Sequence, residues 1–198
     1  VLAAIRVDGR DNVEDPLVHQ FGNLLDAPVV LHQVPDGVQA DLAAPLPFAG
    51  FARTGAFFDP ARRTDERRAF SVRDYHPPLG VIQGWLPYFP ALGVKISPGV
   101  KLEELQPYDA EVEFISLRGE LKEAVLWFGP LQTASRRATI LPGEHSFVGM
   151  AENAQNERLL PLSEPRAYLY EPDPAILRAG LVQPLGLELE AAQLDPEI

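Results

Sequence analysis

The sequence contains no cysteine among its 198 residues. This absence excludes disulfides, a thiolate nucleophile and cysteine-ligated metal. It also lacks any apolar run near the ~20 residues that a membrane-spanning helix needs. We therefore expect no membrane partner and a cytoplasmic location. The sequence begins with Val1 rather than a methionine and ends without a helix-capping residue, so we expect the chain to be a fragment of a longer protein.

Several common site signatures are missing as well. The sequence has no G-x-G-x-x-G, no P-loop and no G-x-S-x-G. Its four histidines lack the spacing of a metal site, and we predict no metal. They are His19, His32, His76 and His145.

Positive charge is scarce overall, since the formal net charge is −11. One segment reverses this sign, because six of the 17 basic residues fall between positions 53 and 73. Such a cluster is typical of an anion or phosphate site, but interleaved acids are equally typical of a solvated surface. Both interpretations stay open. The six residues are Arg53, Arg62, Arg63, Arg67, Arg68 and Arg73.

Proline is abundant, with 20 residues, so the chain should be rich in turns. We predict a strand at 55–58, a helix at 79–89, a strand at 92–96 and a short helix at 102–105. Strands at 110–117, 123–128 and 137–141 follow, then a loop or linker at 143–166. A strand at 167–170 and a helix at 175–181, begun by Asp173 and Pro174, complete the chain. In the first 50 residues we predict a strand at 2–7, a helix at 17–25 and short strands at 28–34 and 38–42. This order predicts an α/β protein with a parallel sheet finished by an antiparallel edge.

The strand at 55–58 ends abruptly in Asp59 and Pro60, and Arg62 and Arg63 follow. In open α/β sheets ligands bind outside the carboxyl ends of the strands, so Asp59 is a candidate to orient a substrate amine or hydroxyl. The alternative is an Asx-turn with solvated arginines. Lys95 lies inside the apolar strand at 92–96, so it either pairs with an acid or extends to the edge. We predict that it pairs with Asp59.

Four motifs together resemble a bacterial family of class I S-adenosylmethionine-dependent methyltransferases that carry a C-terminal THUMP-like domain. They are Phe58-Asp59-Pro60-Ala61-Arg62-Arg63, Arg68-x-Phe70-x-x-x-x-Tyr75-x-Pro77-Pro78-Leu79, Val94-Lys95-Ile96-Ser97-Pro98-Gly99 and Ser116-Leu117-Arg118-Gly119-Glu120-x-x-Glu123-Ala124-Val125-Leu126-Trp127. The segment from Tyr170 to Val182 resembles the opening of the THUMP-like domain. The resemblance covers roughly residues 38 to 198.

The resemblance implies a Rossmann-like methyltransferase sheet, here its second half, with antiparallel terminal strands and the start of a small α+β domain. The implied divisions are a partial methyltransferase domain at 1–150, a linker at 151–166 and the THUMP-like part at 167–198. The implied cofactor is S-adenosylmethionine, with Asp41 and Asp59 as its binding residues. The implied catalytic residues are Asp59, Pro60 and Lys95, and Arg62, Arg63, Arg67 and Arg68 would bind substrate.

Two departures from the family pattern bear on function. No glycine-rich cofactor loop is present in residues 1–37, and Ala61 replaces the second proline of the commoner D-P-P motif. We therefore carry two hypotheses. The first is N- or O-methylation of RNA or another polar substrate. The second is a non-catalytic or truncated methyltransferase-like module for binding or dimerisation, in which a homodimer would cover an exposed hydrophobic sheet edge.

Overall fold

The computed structural model of the chain describes residues 3–6, 55–62, 70–143, 145–149 and 160–195. These residues belong to two compact units. Unit 1 contains the described residues up to Ala110 together with Val125–Thr133, and unit 2 contains Glu111–Ala124 together with the residues from Ala134 onward. The domain division at 150 and 166 stays a prediction. The elements predicted at 17–25, 28–34 and 38–42 lie outside the described residues.

Seven strands are described. They are β1 (Ala3–Arg6), β2 (Gly55–Asp59), β3 (Ala91–Ile96), β4 (Glu111–Leu117), β5 (Glu120–Phe128), β6 (Arg136–Leu141) and β7 (His145–Gly149). Three short 3-10 helices are η1 (Leu79–Gly84), η2 (Leu102–Leu105) and η3 (Gly129–Leu131). Two α-helices, α1 (Pro174–Ala179) and α2 (Val182–Glu188), complete the described elements. Among these described helices, none has the length and hydropathy to cross a bilayer.

In unit 1 the strand order is β1-β2-β3, followed by the C-terminal residues of β5. The pairs β1/β2 and β2/β3 are parallel, and the second register places Phe58 beside Val94. Every residue of β3 is buried, as expected for a parallel strand covered on both faces. The predicted strands at 55–58 and 92–96 are confirmed, and both parallel strands end at the same edge.

The predicted helix at 79–89 is only partly present. It is the 3-10 helix η1, which stops at Gly84 and continues as turns. Gly84 weakens a helix and Pro87 cannot donate to its hydrogen-bond ladder, which accounts for the early end. Trp85 is buried, and its ring meets Phe58 edge-on at 4.8 Å. Tyr88 is 48% exposed, because the chain no longer follows one helical face.

Two glycines in unit 1 allow close approaches that a side chain would block. A Cβ atom on Gly93 would lie 2.6 Å from the Trp127 ring and 2.8 Å from the Phe57 ring. Gly129 has a positive φ of 59°, and its Cβ would lie 1.9 Å from the carbonyl oxygen of Pro90. The backbone after β5 therefore lies directly against the residue that precedes β3.

In unit 2 the order is β5-β4-β6-β7, with the N-terminal residues of β5 in this unit. A two-residue turn joins β4 to β5, and its residues Arg118 and Gly119 both have positive φ, as in a type I′ hairpin. Strand β6 runs parallel to β4, and β7 runs antiparallel to β6. The loop predicted at 143–166 is wrong where it includes β7. No residue of this short strand is buried, and its two apolar side chains, Phe147 and Val148, are adjacent, so the sequence lacks the alternation that marks a strand.

Helix α1 packs against β4 and β6 through Ala175, Ile176 and Ala179. It begins as predicted, because Asp173 Oδ1 accepts a hydrogen bond of 2.8 Å from the Ala175 N–H. The following helix α2 was not predicted, since Pro184 and Gly186 both disfavour a helix in sequence. Pro184 lies in the first turn, where it is tolerated, and a Cβ on Gly186 would lie 2.4 Å from Leu160.

The predicted strand at 167–170 is wrong, since these residues form no strand. The side chains of Tyr168, Leu169 and Tyr170 are all exposed instead. Their β-forming composition predicted a strand, but a strand also needs a partner to hydrogen-bond with, and composition does not supply one.

Two glutamates of β4 are fully buried on the same face of the unit 2 sheet. Glu111 accepts hydrogen bonds from the Ala134 N–H at 2.8 Å and from Arg137 Nε at 2.5 Å. Glu113 accepts one from the Thr139 hydroxyl at 2.5 Å. Because a buried carboxylate is costly unless it is hydrogen-bonded or paired, these contacts offset the cost of burying Glu111 and Glu113.

Gly93→Ala should destabilise the chain by about 1–3 kcal/mol, because the new methyl group would overlap two aromatic rings. The matched control is Gly84→Ala, where nothing lies within 4 Å of the new Cβ. Urea unfolding measures both. Equal stabilities for the two variants would contradict the close packing around Gly93.

Glu111→Gln should cost about 3 kcal/mol, since it leaves the Arg137 guanidinium without its buried counter-charge. Glu120→Gln removes the exposed contact with Lys122 and should leave the unfolding midpoint unchanged. Thermal unfolding compares the two variants, and similar midpoints would show that the Glu111 pair is not required.

Candidate functional site

The carboxyl ends of β2 and β3 bring two opposite charges together at one edge of unit 1. The parallel register places Phe58 beside Val94, so Asp59 follows beside Lys95. Lys95 Nζ lies 3.5 Å from Asp59 Oδ2, which confirms the predicted pairing. The Lys95 side chain is 11% exposed and that of Asp59 is 34% exposed. The carboxylate is therefore held from the protein side while part of it faces solvent.

The burial of β3 explains why this pair exists. A lysine within a fully buried strand loses hydration, and it needs a counter-charge to remain charged there. Asp59 supplies that charge from the neighbouring strand. Because a third of the Asp59 side chain is accessible, solvent partly screens the pair, and we expect it to contribute only modestly to the free energy of unfolding.

Burial and backbone hydrogen bonds hold the described residues that follow β2. Pro60 is buried, and the ring of a proline restricts its own φ angle. Ala61 and His76 then exchange two backbone hydrogen bonds of 3.1 and 3.0 Å. These bonds tie the residues that follow Asp59 to the segment at 70–79.

Arg62 is half-buried, and its Nη1 donates a 2.9 Å hydrogen bond to the carbonyl of Ile96. The alternative of solvated arginines is thus wrong for Arg62. The guanidinium bonds to the end of β3, next to Lys95. This contact supports the backbone of the site, whereas the sequence pattern indicated a substrate-binding role.

Tyr75 was not singled out from the sequence as a site residue. It is fully buried, and its hydroxyl oxygen accepts a 2.8 Å hydrogen bond from the Ser97 N–H. Ser97 in turn accepts from Gly99 N–H through its side chain and from Val100 N–H through its carbonyl. The only sequence signal for Tyr75 is its place within the motif before Pro77 and Pro78.

The segment that carries Tyr75 is anchored at its start. Glu104 Oε2 accepts hydrogen bonds from the Ser71 hydroxyl at 2.7 Å and from the Val72 N–H at 3.1 Å. The Leu79 N–H then bonds to the Val72 carbonyl at 3.0 Å. These contacts hold the chain on both sides of Tyr75, at Val72 before it and at Leu79 after it.

The other candidate residues are not brought into this arrangement. Asp41, Arg63, Arg67 and Arg68 lie outside the described residues. Arg73, from the same arginine cluster, is described and exposed. Within the described ranges, no group of three His, Asp or Glu side chains could hold a metal ion. His76 and His145 are exposed.

The chemistry available at this edge is limited and specific. The accessible carboxylate of Asp59 can accept a hydrogen bond from an N–H or O–H group and orient its lone pair. Lys95 fixes the carboxylate from behind. The Ser97 hydroxyl already accepts from Gly99, and no described base lies beside it. The geometry therefore favours positioning of an acceptor group over nucleophilic catalysis by serine.

No family model matches the chain, but the chain is similar to curated proteins and to a solved structure. The chain is 35% identical over 144 residues to proteins from two strains of Mycobacterium tuberculosis, each named an uncharacterized S-adenosylmethionine-dependent methyltransferase. The match takes 71% of this chain and 38% of each relative. The chain thus spans well under half the length of these relatives.

A crystal structure from Porphyromonas gingivalis, described provisionally as a methyltransferase, has the same fold. It superposes with a TM-score of 0.59 at 24% identity, over 71% of this chain and 37% of that chain. The predicted fold class, a Rossmann-like methyltransferase sheet, is confirmed by this likeness.

A double-mutant cycle of Asp59→Asn and Lys95→Met should give a coupling of about 1 kcal/mol, as for a partly exposed ion pair. Urea unfolding of the two single variants and the double variant supplies the four stabilities. The control cycle, Glu120→Gln with Lys122→Met, tests an exposed pair and should show no coupling. Strictly additive effects at Asp59 and Lys95 would contradict their pairing in solution.

Proposed function

We propose that this chain forms the acceptor-binding part of an S-adenosylmethionine-dependent methyltransferase. The observation that carries the proposal is the accessible carboxylate of Asp59, held by Lys95 at the carboxyl edge of two parallel strands. Ligands of open α/β sheets bind at such an edge. The similarity to the mycobacterial methyltransferases and the shared fold support the same conclusion.

The roles of the chain's own residues follow from their placement. Asp59 accepts a hydrogen bond from the N–H or O–H of the acceptor, directs its lone pair and receives its proton. Lys95 holds the carboxylate in place, and Pro60 fixes the backbone that leaves it. The cofactor, when bound, supplies an electrophilic methyl group. Much of the rate enhancement then comes from orientation of the acceptor.

The residues at this edge fit such a cofactor. The accessible negative charge of Asp59 suits a group that carries a positive sulfonium, and no described cation besides Lys95 is bonded to it. We propose Asp59 and Asp41 as the residues that hold the cofactor.

We propose RNA or another polar molecule as the substrate, methylated on nitrogen or oxygen. Arg63, Arg67 and Arg68 would bind its phosphate groups, since the arginine cluster reverses the sign of an otherwise acidic chain. Arg62 contributes differently, through its contact with Ile96. We also propose that residues 167–198 begin a THUMP-like domain, and that the protein is cytoplasmic and forms a homodimer.

Addition of S-adenosylhomocysteine to the full-length protein should raise its melting temperature. Ligand at about 100 times its dissociation constant adds about 2.7 kcal/mol to the free energy of unfolding. S-adenosylhomocysteine carries no sulfonium charge for Asp59 to balance, so Asp59→Asn should keep most of this shift. The same variant should lower methyl transfer from labelled S-adenosylmethionine to bulk bacterial RNA by about 100-fold or more. Asp74→Asn, at an exposed aspartate of the same unit, is the matched control.

The outcomes separate two functions. A ligand shift with methyl transfer that depends on Asp59 supports the enzyme. The absence of both a shift and transfer in the full-length protein would overturn it and favour the non-catalytic binding or dimerisation module.

A further inference from the structure

We infer that Arg62 and Tyr75 are positioning residues that clamp one peptide group, between Ile96 and Ser97, and so hold Lys95 against Asp59. The contacts that define the clamp stand by themselves, and its consequence for catalysis rests on the proposed function. The inference gives Arg62 a different role from that of the other arginines in its cluster, and it adds Tyr75 to the site.

The two hydrogen bonds reach the two polar atoms of the same peptide group. The carbonyl of Ile96 accepts from Arg62 Nη1 at 2.9 Å, and the N–H of Ser97 donates to Tyr75 Oη at 2.8 Å. Both polar atoms of this peptide group are therefore bonded to side chains. A peptide held at both polar atoms cannot rotate without breaking at least one bond.

The backbone pairing of Ala61 with His76 explains why these two side chains converge. The pair is an antiparallel bridge, in which the residue after Ala61 lies opposite the residue before His76. Those residues are Arg62 and Tyr75. Opposed residues of an antiparallel pair project to the same face, so one bridge directs both side chains toward the end of β3.

The clamp acts at the carboxyl end of β3. The paired residues of β2 and β3 end at Phe58 and Val94. Lys95 and Ile96 are the last two residues of β3 and lie beyond this register. The bonds from Arg62 and Tyr75 fix the peptide group between Ile96 and Ser97, one residue beyond Lys95. They thereby restrict where the Lys95 side chain begins and how far its ammonium lies from Asp59.

This restriction matters because catalysis by orientation is sensitive to small displacements. A misplacement of about 1 Å can cost about 100-fold in rate. A phenylalanine at position 75 retains the buried ring but leaves the Ser97 N–H without its acceptor. A methionine at position 62 retains the buried stem of the arginine but removes its donors.

Lysine acylation tests the clamp without any knowledge of the substrate. The chain has three lysines, of which Lys101 and Lys122 are exposed and Lys95 is buried. We would treat the chain with N-hydroxysuccinimidyl acetate and follow each lysine by peptide mass spectrometry. Lys95 should react slowest in the unmodified protein, and the two exposed lysines serve as internal standards in every variant.

In Tyr75→Phe and in Arg62→Met the acylation of Lys95 should accelerate roughly fivefold or more, with Lys101 and Lys122 unchanged. Arg62→Lys keeps a donor near the Ile96 carbonyl and should restore part of the protection. Tyr88→Phe, at a half-exposed tyrosine of the same unit, is the matched control and should change nothing. If Lys95 stays equally protected in both clamp variants, the inference is overturned, and Arg62→Met provides the answer should Tyr75→Phe not fold.

Enzyme kinetics then separate positioning from substrate binding. The clamp predicts that Arg62→Met lowers kcat for methyl transfer to bulk RNA, with the KM for RNA and its salt dependence unchanged. A phosphate-binding role predicts a higher KM and a weaker salt dependence instead, and that result would contradict positioning by Arg62. Loss of Lys95 protection in a protein that shows no methyl transfer at all would uphold the clamp and reject the proposed function.

Discussion

The parallel pairing of β2 with β3 is the constraint on which the candidate site depends. It ends two buried strands at one edge, and it places Asp59 beside Lys95. A lysine in a fully buried strand needs a counter-charge, and Asp59 provides it. The burial of β3 and the charge pair at the edge of unit 1 therefore depend on each other. The same pair supplies an accessible carboxylate. Stability and the proposed chemistry are therefore linked through a single contact between neighbouring strands.

The sequence predicts the strands of this fold well wherever local signals agree. The apolar runs that end in Asp59-Pro60 and in Ser97-Pro98-Gly99 mark β2 and β3, and alternation marks β4. It fails where tertiary contacts override local preference. The exposed edge strand β7 has little apolar pattern, α2 forms despite Pro184, and residues 167–170 have strand composition without a strand partner.

The site divides in the same way. Asp59 and Lys95 were predictable because each lies at a strand end that the sequence marks. The roles of Arg62 and Tyr75 were not predictable, since their hydrogen-bond partners lie 34 and 22 positions away in the sequence. Those partners are backbone atoms, which are the same in every residue type and leave no pattern in the sequence. A pattern of arginines indicates an anion site, but only the fold shows that one of them bonds to a carbonyl. Asp41, Arg63, Arg67 and Arg68 stay predictions.

Gly129 has a consequence beyond its own turn. Its Cα lies so near the Pro90 carbonyl that no L-amino acid with a side chain fits without moving the backbone, and its positive φ adds a second reason. Such a position is set by the fold and is independent of the substrate. Among related chains, catalytic and substrate-binding residues can change as specificity diverges, whereas this glycine should persist. It offers a way to recognise the same scaffold in proteins whose chemistry has changed.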